Sequence, residues 1–415
     1  MLSIALMLSV SFSEKLVPLS ASTQLGKTAE LAIKKAIGKS RVVMLGELTH
    51  GDGSSFEVKV ELVKFLHREL GFDVLVWESG LYDCAEMDLA MGGAKPLSQV
   101  ATMGVFSHWS KGKESFPIFE YARQTRSSPR PLTMAGFDLQ GSGSASNSMF
   151  PDFLDWFKDA PELTAEDRAA VDSAFLKARS ASNQAEMSEA QAAVHQTAPR
   201  FLKAFEANPK GFQDKWGKDW AFRRQVLKGA VRYGEMLAMH REVQEKKRPF
   251  ADPYNLREKV NAENLLWLAN ERFKGKKLIV WAHNVHIARE LPARGSASQP
   301  GSGEVDSMGR LVGKALRGDA YSLGFLSHGG TWSWLGNPVI AFRLAESDSL
   351  ESVLHKAKEP YGFLDLRSLP NTHALRKPLA ATIDQQNPLT VKRDWGKAFD
   401  GVIYIDKMKP RIQIP

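Results

Sequence analysis

RVVMLGELTHGDG, residues 41–53, is the stretch whose reading decides the fold. An apolar run, Arg41–Glu47, breaks into a turn carrying Gly46, Gly51 and Gly53. A helical pattern follows at once, with Leu62, Val63, Leu66 and Leu70 at helical spacing. Near-continuous apolar runs of this length fit strands covered on both faces, and a strand passing straight into an amphipathic helix fits a parallel βα unit. Ser54 with Glu57 three residues on forms a capping-box pattern, so the helix is expected to open just after Asp52-Gly53. Its N-terminus then faces the turn, where free amides favour an anion or a developing oxyanion.

The same signature recurs along the chain. Asp73–Glu78, Leu132–Asp138, Lys277–His283, Tyr321–Leu326, Val339–Leu344 and Val402–Ile405 are further strand candidates, and helical segments lie between several of them. This alternation predicts an α/β fold: a mostly parallel central sheet flanked by helices, with a helical insertion between the third and fourth sheet strands. Residues 30–149 and 276–415 form the α/β core, 150–275 the insertion and 1–29 an N-terminal segment. The insertion is rich in Ala, Lys, Glu and Arg and breaks near Pro161, Asn208-Pro209 and Pro249. Asp252-Pro253 reads as an N-cap with proline at the first helical position, opening a helix through Trp267. Residues 293–308, rich in Gly, Ser and Pro, read as a loop and a candidate lid.

Composition narrows the function classes. A chain of 415 residues with 25% charged residues is neither disordered nor a membrane bundle, and no apolar run reaches the roughly eighteen residues of a spanning helix. The single Cys84 excludes a disulfide framework and a cysteine-rich metal site; its apolar surroundings mark it as a core residue. The net charge of +8 falls in one segment: Arg200–Lys276 holds 18 Lys+Arg against 10 Asp+Glu, and the rest is balanced. Acids interleave with those bases and no nucleic-acid motif accompanies them, so the excess reads as a solvated helical face. Residues 2–12 resemble the apolar core of a signal peptide without its positive n-region. That favours a first helix packed on the domain of a cytoplasmic protein; a degraded signal peptide would place it in the periplasm or outside the cell.

Nucleophile-elbow, zinc-helix and Walker signatures are absent. What remains is positional. Glu47 ends the first strand with His50 on the turn after it, Glu78 ends the second, Asp138 the third, and His283, Asn284 and His286 the fourth. Ligands of open parallel sheets bind beyond the carboxyl ends of the strands, and acids are depleted from strands. Four successive strands that each end in an acid or an imidazole therefore point to a site at that edge, with His50 within reach of Glu47. Asp138 serves equally well as a turn residue, and one of His283 and His286 is expected to be structural. His328 follows the fifth strand candidate with nothing around it to support a role, and the remaining histidines show no partner pattern.

These residues resemble the erythromycin-esterase family. The resemblance rests on Gly46-Glu47-Leu48-Thr49-His50-Gly51, Gly71-Phe72, Glu78-Ser79-Gly80, Gly136-Phe137-Asp138 and Trp281-Ala282-His283-Asn284-Val285-His286, in matching order, over about residues 30–406. It implies an α/β core with a helical insertion and hydrolysis of a carboxylic ester, in the best-known members the lactone of a macrolide. It further implies His50 as general base on water with no covalent enzyme intermediate, Glu47 and Glu78 as the family's glutamates, and His283 and His286 as its later histidines. Lys59 and Arg257-Glu258 match its basic helix positions. Ser54-Ser55-Phe56 departs from the acid-and-aromatic sequence of many relatives, and Lys59 replaces an Arg, a point charge for a planar fork. Both changes fall beside the expected substrate, so the resemblance leaves the substrate open, macrolides included. The chemistry agrees with the residues: a histidine suits deprotonating water, and an adjacent carboxylate would hold its tautomer. Trp109 and Tyr82 are candidates for an apolar wall, though both residue types are more often packing.

The expected partner is a small ester or lactone, with no cofactor, no nucleic acid and no membrane span. Two other readings stay open. Glu47, His50, Glu78, His283 and His286 also make a plausible N/O ligand set for Zn or Mn in a metal-dependent hydrolase. The same fold would also serve a non-catalytic binder of haem or another small ligand.

Overall fold

The structure is a computed structural model that describes residues 15–180, 182–290, 305–334, 338–342, 345–384 and 389–414. The apolar segment at residues 2–12 and most of the 293–308 loop lie outside the described residues.

The strands are β1 (Val17–Pro18), β2 (Val42–Leu45), β3 (Val74–Gly80), β4 (Thr133–Asp138), β5 (Leu278–Trp281), β6 (Ala320–Trp332), β7 (Ile340–Ala341), β8 (Tyr361–Asp365), β9 (Leu379–Asp384), β10 (Leu389–Arg393) and β11 (Gly401–Met408). One sheet runs β1-β8-β11-β6-β2-β5-β3-β4, with β7 added to β6; β9 and β10 pair separately. The pairs from β4 through β3, β5, β2 and β6 to β11 are all parallel, whereas β8, β1 and β7 are antiparallel additions. The chain leaves β2 for β3 and β4, then returns to set β5 between β2 and β3. Four strand ends, β4, β3, β5 and β2, are thereby neighbours.

Continuous apolar strands follow from this layering. Val42, Met44, Val74, Val76, Leu278 and Val280 face one core, shared with the insertion helices. Val43, Leu45, Leu75, Trp77, Ile279 and Trp281 face the other, shared with the Lys27–Ile37 and Gly53–Leu70 helices. Alternate residues point to opposite faces, and both faces are covered. Cys84 is fully buried in the second core. Between β4 and β5 the described residues are helical, from Ser146–Trp156 through Ala251–Trp267, as the insertion pattern predicts. No helix among the described residues is long and apolar enough to cross a membrane.

Several local expectations change. β2 ends at Leu45, so Glu47 lies in the turn and not on the strand. The cap of the Gly53–Leu70 helix is Asp52, whose carboxylate accepts from Ser55 N at 3.0 Å and from the Ser55 hydroxyl; Ser54 instead accepts from Lys409 N. With Gly53 N donating to Lys409 O, this helix end spends amides on its own chain. The later helix opens at Ala251, one residue before Asp252, which pairs with Arg248. Of the 339–344 candidate, Ile340–Ala341 is strand, and Arg343 and Leu344 lie outside the described residues.

Asn284 locks the sheet beneath the site. Its amide nitrogen donates to Phe325 O at 2.7 Å and its carbonyl accepts from Phe325 N at 3.0 Å, all buried. Gly46 makes room for it: a Cβ there would meet Asn284 Oδ1 at 2.0 Å. Asn284→Ala would orphan two buried backbone groups, and unsatisfied groups cost about 1–3 kcal/mol each. Urea unfolding should show a loss of roughly 2–5 kcal/mol; an unchanged midpoint would remove Asn284 from this role.

Candidate active site

The glutamate after β2 is the centre of the arrangement. Glu47 is fully buried, and both its oxygens are taken. Oε1 accepts from His50 Nδ1 at 2.7 Å and from Trp109 Nε1 at 3.1 Å; Oε2 accepts from Lys59 Nζ at 2.6 Å. Burial alone would raise its pKa, but the Lys59 charge and the His50 bond outweigh it and hold the carboxyl below its usual value. Burial in turn brings Lys59 down to about 8, against the pull of Glu47. Lys59 Nζ also donates to Ala282 O at 3.3 Å and sits 4.4 Å from the Trp281 ring centre. It is wholly enclosed and holds Glu47 from behind.

A carboxylate can only accept, so His50 carries a proton on Nδ1, and in the neutral ring that tautomer leaves the lone pair on Nε2. The ring is held by aromatics: His108 stacks on it at 4.4 Å, with Trp109 edge-on at 5.0 Å and His283 edge-on at 5.3 Å. Its side chain is 15% exposed and borders a cleft of about 400 Å³. Gly51 beside it lies so near the Ser333 carbonyl that a Cβ would approach to 2.5 Å.

A second network backs the cleft. Glu78, at the end of β3, accepts from His283 N at 2.8 Å, faces His286 Nε2 at 3.0 Å and accepts from Arg257 at 3.3 Å. Burial opposes its charge, but His286, His50 and Arg257 pull its pKa well below the usual range. Arg257 forks onto both oxygens of Asp138, at 3.0 and 2.5 Å. His286 also donates from Nδ1 to Glu258 at 2.5 Å, and Glu258 accepts from Met308 N at 2.8 Å. Burial would make His286 neutral, but Glu258 and Glu78 push its pKa well above the usual value, so it is an imidazolium. His283 is the opposite case. Burial lowers it to about 4; Nε2–H donates to Leu48 O at 3.0 Å, and Nδ1 accepts from Val285 N at 3.2 Å as a helix cap. The neighbouring His108 is likewise held well below its usual value by burial.

The sequence-named residues thus divide. His50, Glu78, Arg257, His283 and His286 border the cleft; Glu47, Lys59 and Trp109 stand behind His50, and Asp138 behind Arg257. Asn284 does not reach the cleft, because its amide is spent on β6. Tyr82 does not either: its hydroxyl bonds Asp152, and it lines a neighbouring cavity of about 520 Å³ under the insertion helices. Gln140 borders both cavities. Phe106, His108, Tyr254, Trp334 and Asp384 also line the cleft. They escape a reading based on acids and imidazoles at the ends of parallel strands, and the family resemblance that marked Lys59 and Arg257 did not reach them.

Comparison with known proteins agrees with this architecture. The erythromycin esterase family model matches residues 67–408, and the chain belongs to that family. It is 26% identical to YbfO of Bacillus subtilis (strain 168), a protein named as a hydrolase, over 96% of this chain and 90% of that one. It is 22% identical to erythromycin esterase type II of Escherichia coli over 90% and 91%. A solved mutant of the erythromycin esterase EreC, in its open conformation, superposes with a TM-score of 0.74 at 15% identity, over 95% of this chain and 97% of that one. Family membership supports a hydrolase.

The opposed histidines are checkable. Nitrogen-15 histidine spectra at pH 7.5 should show His286 protonated on both nitrogens and His283 on Nε2 alone. A neutral His286 would break the two-carboxylate assignment. The sign for stability follows. The folded pKa of His286 lies above the unfolded value of about 6.5. Its contribution is therefore complete below that pH and is lost as pH rises through the folded pKa.

Proposed function

We propose that the protein hydrolyses a carboxylic ester or lactone with water activated by His50. The observation that carries this reading is the His50–Glu47 pair, with Nδ1 fixed on a buried carboxylate and the ring at the edge of a cleft. Nε2 takes a proton from water as the water oxygen attacks the carbonyl carbon. Glu47 steadies the resulting imidazolium. Arg257 and His286 supply positive charge for the tetrahedral oxyanion. Collapse of that intermediate returns the proton from His50 to the leaving alcohol, so ester and water become acid and alcohol with no covalent enzyme intermediate.

In this reading Lys59 and Trp109 position Glu47, Asp138 positions Arg257, and Glu78 holds His286 and the His283 backbone. Asn284 drops out as a substrate contact. The cavity beside Tyr82 takes an apolar part of a larger substrate, reached past Gln140. The Escherichia coli relative is named for erythromycin, so macrolides belong in the substrate panel beside simple esters and lactones. A metal on Glu47, His50, Glu78, His283 and His286 would need their donor atoms to converge. Glu47 and Glu78 instead spend their oxygens on nitrogen donors, and among the described residues these five form no such group.

His50→Gln should lower turnover by about 10²–10⁴, the usual worth of a general base. Steady-state assay on that panel is the check, and retained turnover would remove His50 as the base. Above about pH 8 Lys59 loses its charge, and Glu47 loses its counter-ion. The rate should therefore fall on an alkaline limb near that pH. Lys59→Arg, which keeps its charge, should lack this limb; an identical limb in the variant would assign it elsewhere.

A further inference from the structure

Away from the cleft, three side chains meet that the hydrolytic reading does not use. His328 is on β6, Asp406 on the parallel neighbour β11, and His355 is the last residue of the Leu350–His355 helix. The register pairs Ser327 with Ile405 and Gly329 with Lys407, which sets His328 level with Asp406. The two imidazoles stack at 3.9 Å, 5° from parallel. His355 Nδ1 lies 2.5 Å from Asp406 Oδ1, and one donor atom from each residue lies within 4.8 Å of the others. None of the three borders the cleft.

We infer that His328, His355 and Asp406 bind a divalent transition-metal cation of the zinc class. Two imidazoles and one carboxylate are a donor set such ions accept, with bonds of about 2.0–2.2 Å. Adjacent ligand atoms of a tetrahedral site are then roughly 3.3 Å apart; the three donor atoms already lie within 4.8 Å of one another, and on binding one imidazole turns out of the stack so that both in-plane lone pairs meet the ion. Tyr404 fixes the carboxylate, its hydroxyl donating to Asp406 Oδ1 at 2.7 Å; such outer-shell bonds orient metal ligands. The His355 side chain is 48% exposed, which leaves a solvent side for entry and for a fourth, water ligand. The ion ties the helix to the far ends of β6 and β11. β6 continues to Trp332, close before the cleft residue Trp334. The role is a staple, since binding to the folded state alone adds stability.

The test is zinc chloride titrated into the full chain after chelator treatment, read by calorimetry and by melting temperature. One equivalent should bind with micromolar or tighter affinity and raise the melting temperature. His355→Gln, at a half-exposed position, and His328→Gln should each lose both effects, with circular dichroism confirming their fold. His50→Gln should keep both, and His355→Gln should match wild-type hydrolysis without metal. Zinc bound equally by both His355→Gln and His328→Gln, zinc lost in His50→Gln, or no binding short of millimolar concentration would each overturn the assignment.

Discussion

A carboxylate buried without water must be satisfied by its neighbours, and Glu47 meets that demand with three donors from three parts of the chain. Lys59 comes from the helix after the turn, Trp109 from a short helix beyond β3, and His50 from the turn itself. Each donor is fixed by the need to reach one group. The helix cannot rotate without pulling Lys59 from Oε2, and the Trp109 segment cannot lift without orphaning an indole N–H. The turn is thus set by charge as much as by its glycines. Breaking such a network at one partner costs far more than its net contribution, because the remaining charge stays buried.

That constraint also explains how four neighbouring imidazoles come to differ. His286 lies between two carboxylates and carries charge. His283 and His108 are enclosed and neutral, and both nitrogens of His283 are spent on backbone. His50 pairs Nδ1 with Glu47 and no other carboxylate while its ring edges the cleft. Environments that push like groups apart are how a site separates acid, base and scaffold roles. The Glu258–His286–Glu78 bridge holds both imidazole protons of His286 on carboxylates.

Much of this was legible in the sequence because it obeys short-range rules. Both-faced burial made β2 to β6 and β11 visible as apolar runs, and acids at strand ends betrayed the sheet edge. What was not legible depends on contacts distant in sequence. β8 and β1 are short antiparallel additions with little apolar run of their own, and β9 with β10 forms a small separate ladder. The helix cap went to Asp52 and not Ser54 because the Ser54 hydroxyl is engaged by Lys409, more than 350 residues on. Asn284 looked like a site residue by position, yet its amide serves Phe325. His328 had no local support because both its partners come from later elements.

The insertion is part of the site and not an appendage to the sheet. Its last helix, Ala251–Trp267, sends Arg257 onto Asp138 and Glu78, and Glu258 onto His286. Consecutive helical positions diverge by about 100°, so the pair grips two separate partners from one turn. Without Glu258 the His286 proton would rest on Glu78 alone, and without Arg257 Asp138 and Glu78 would face each other with less compensation. The positive excess of the insertion is therefore of two kinds. Exposed pairs such as Lys210–Asp214 and Lys247–Glu245 lie on solvated faces and contribute little. Arg257, half-buried among carboxylates, is the one basic side chain of that segment bordering the cleft among the described residues, and it couples the placement of the helices to the electrostatics of the strand ends.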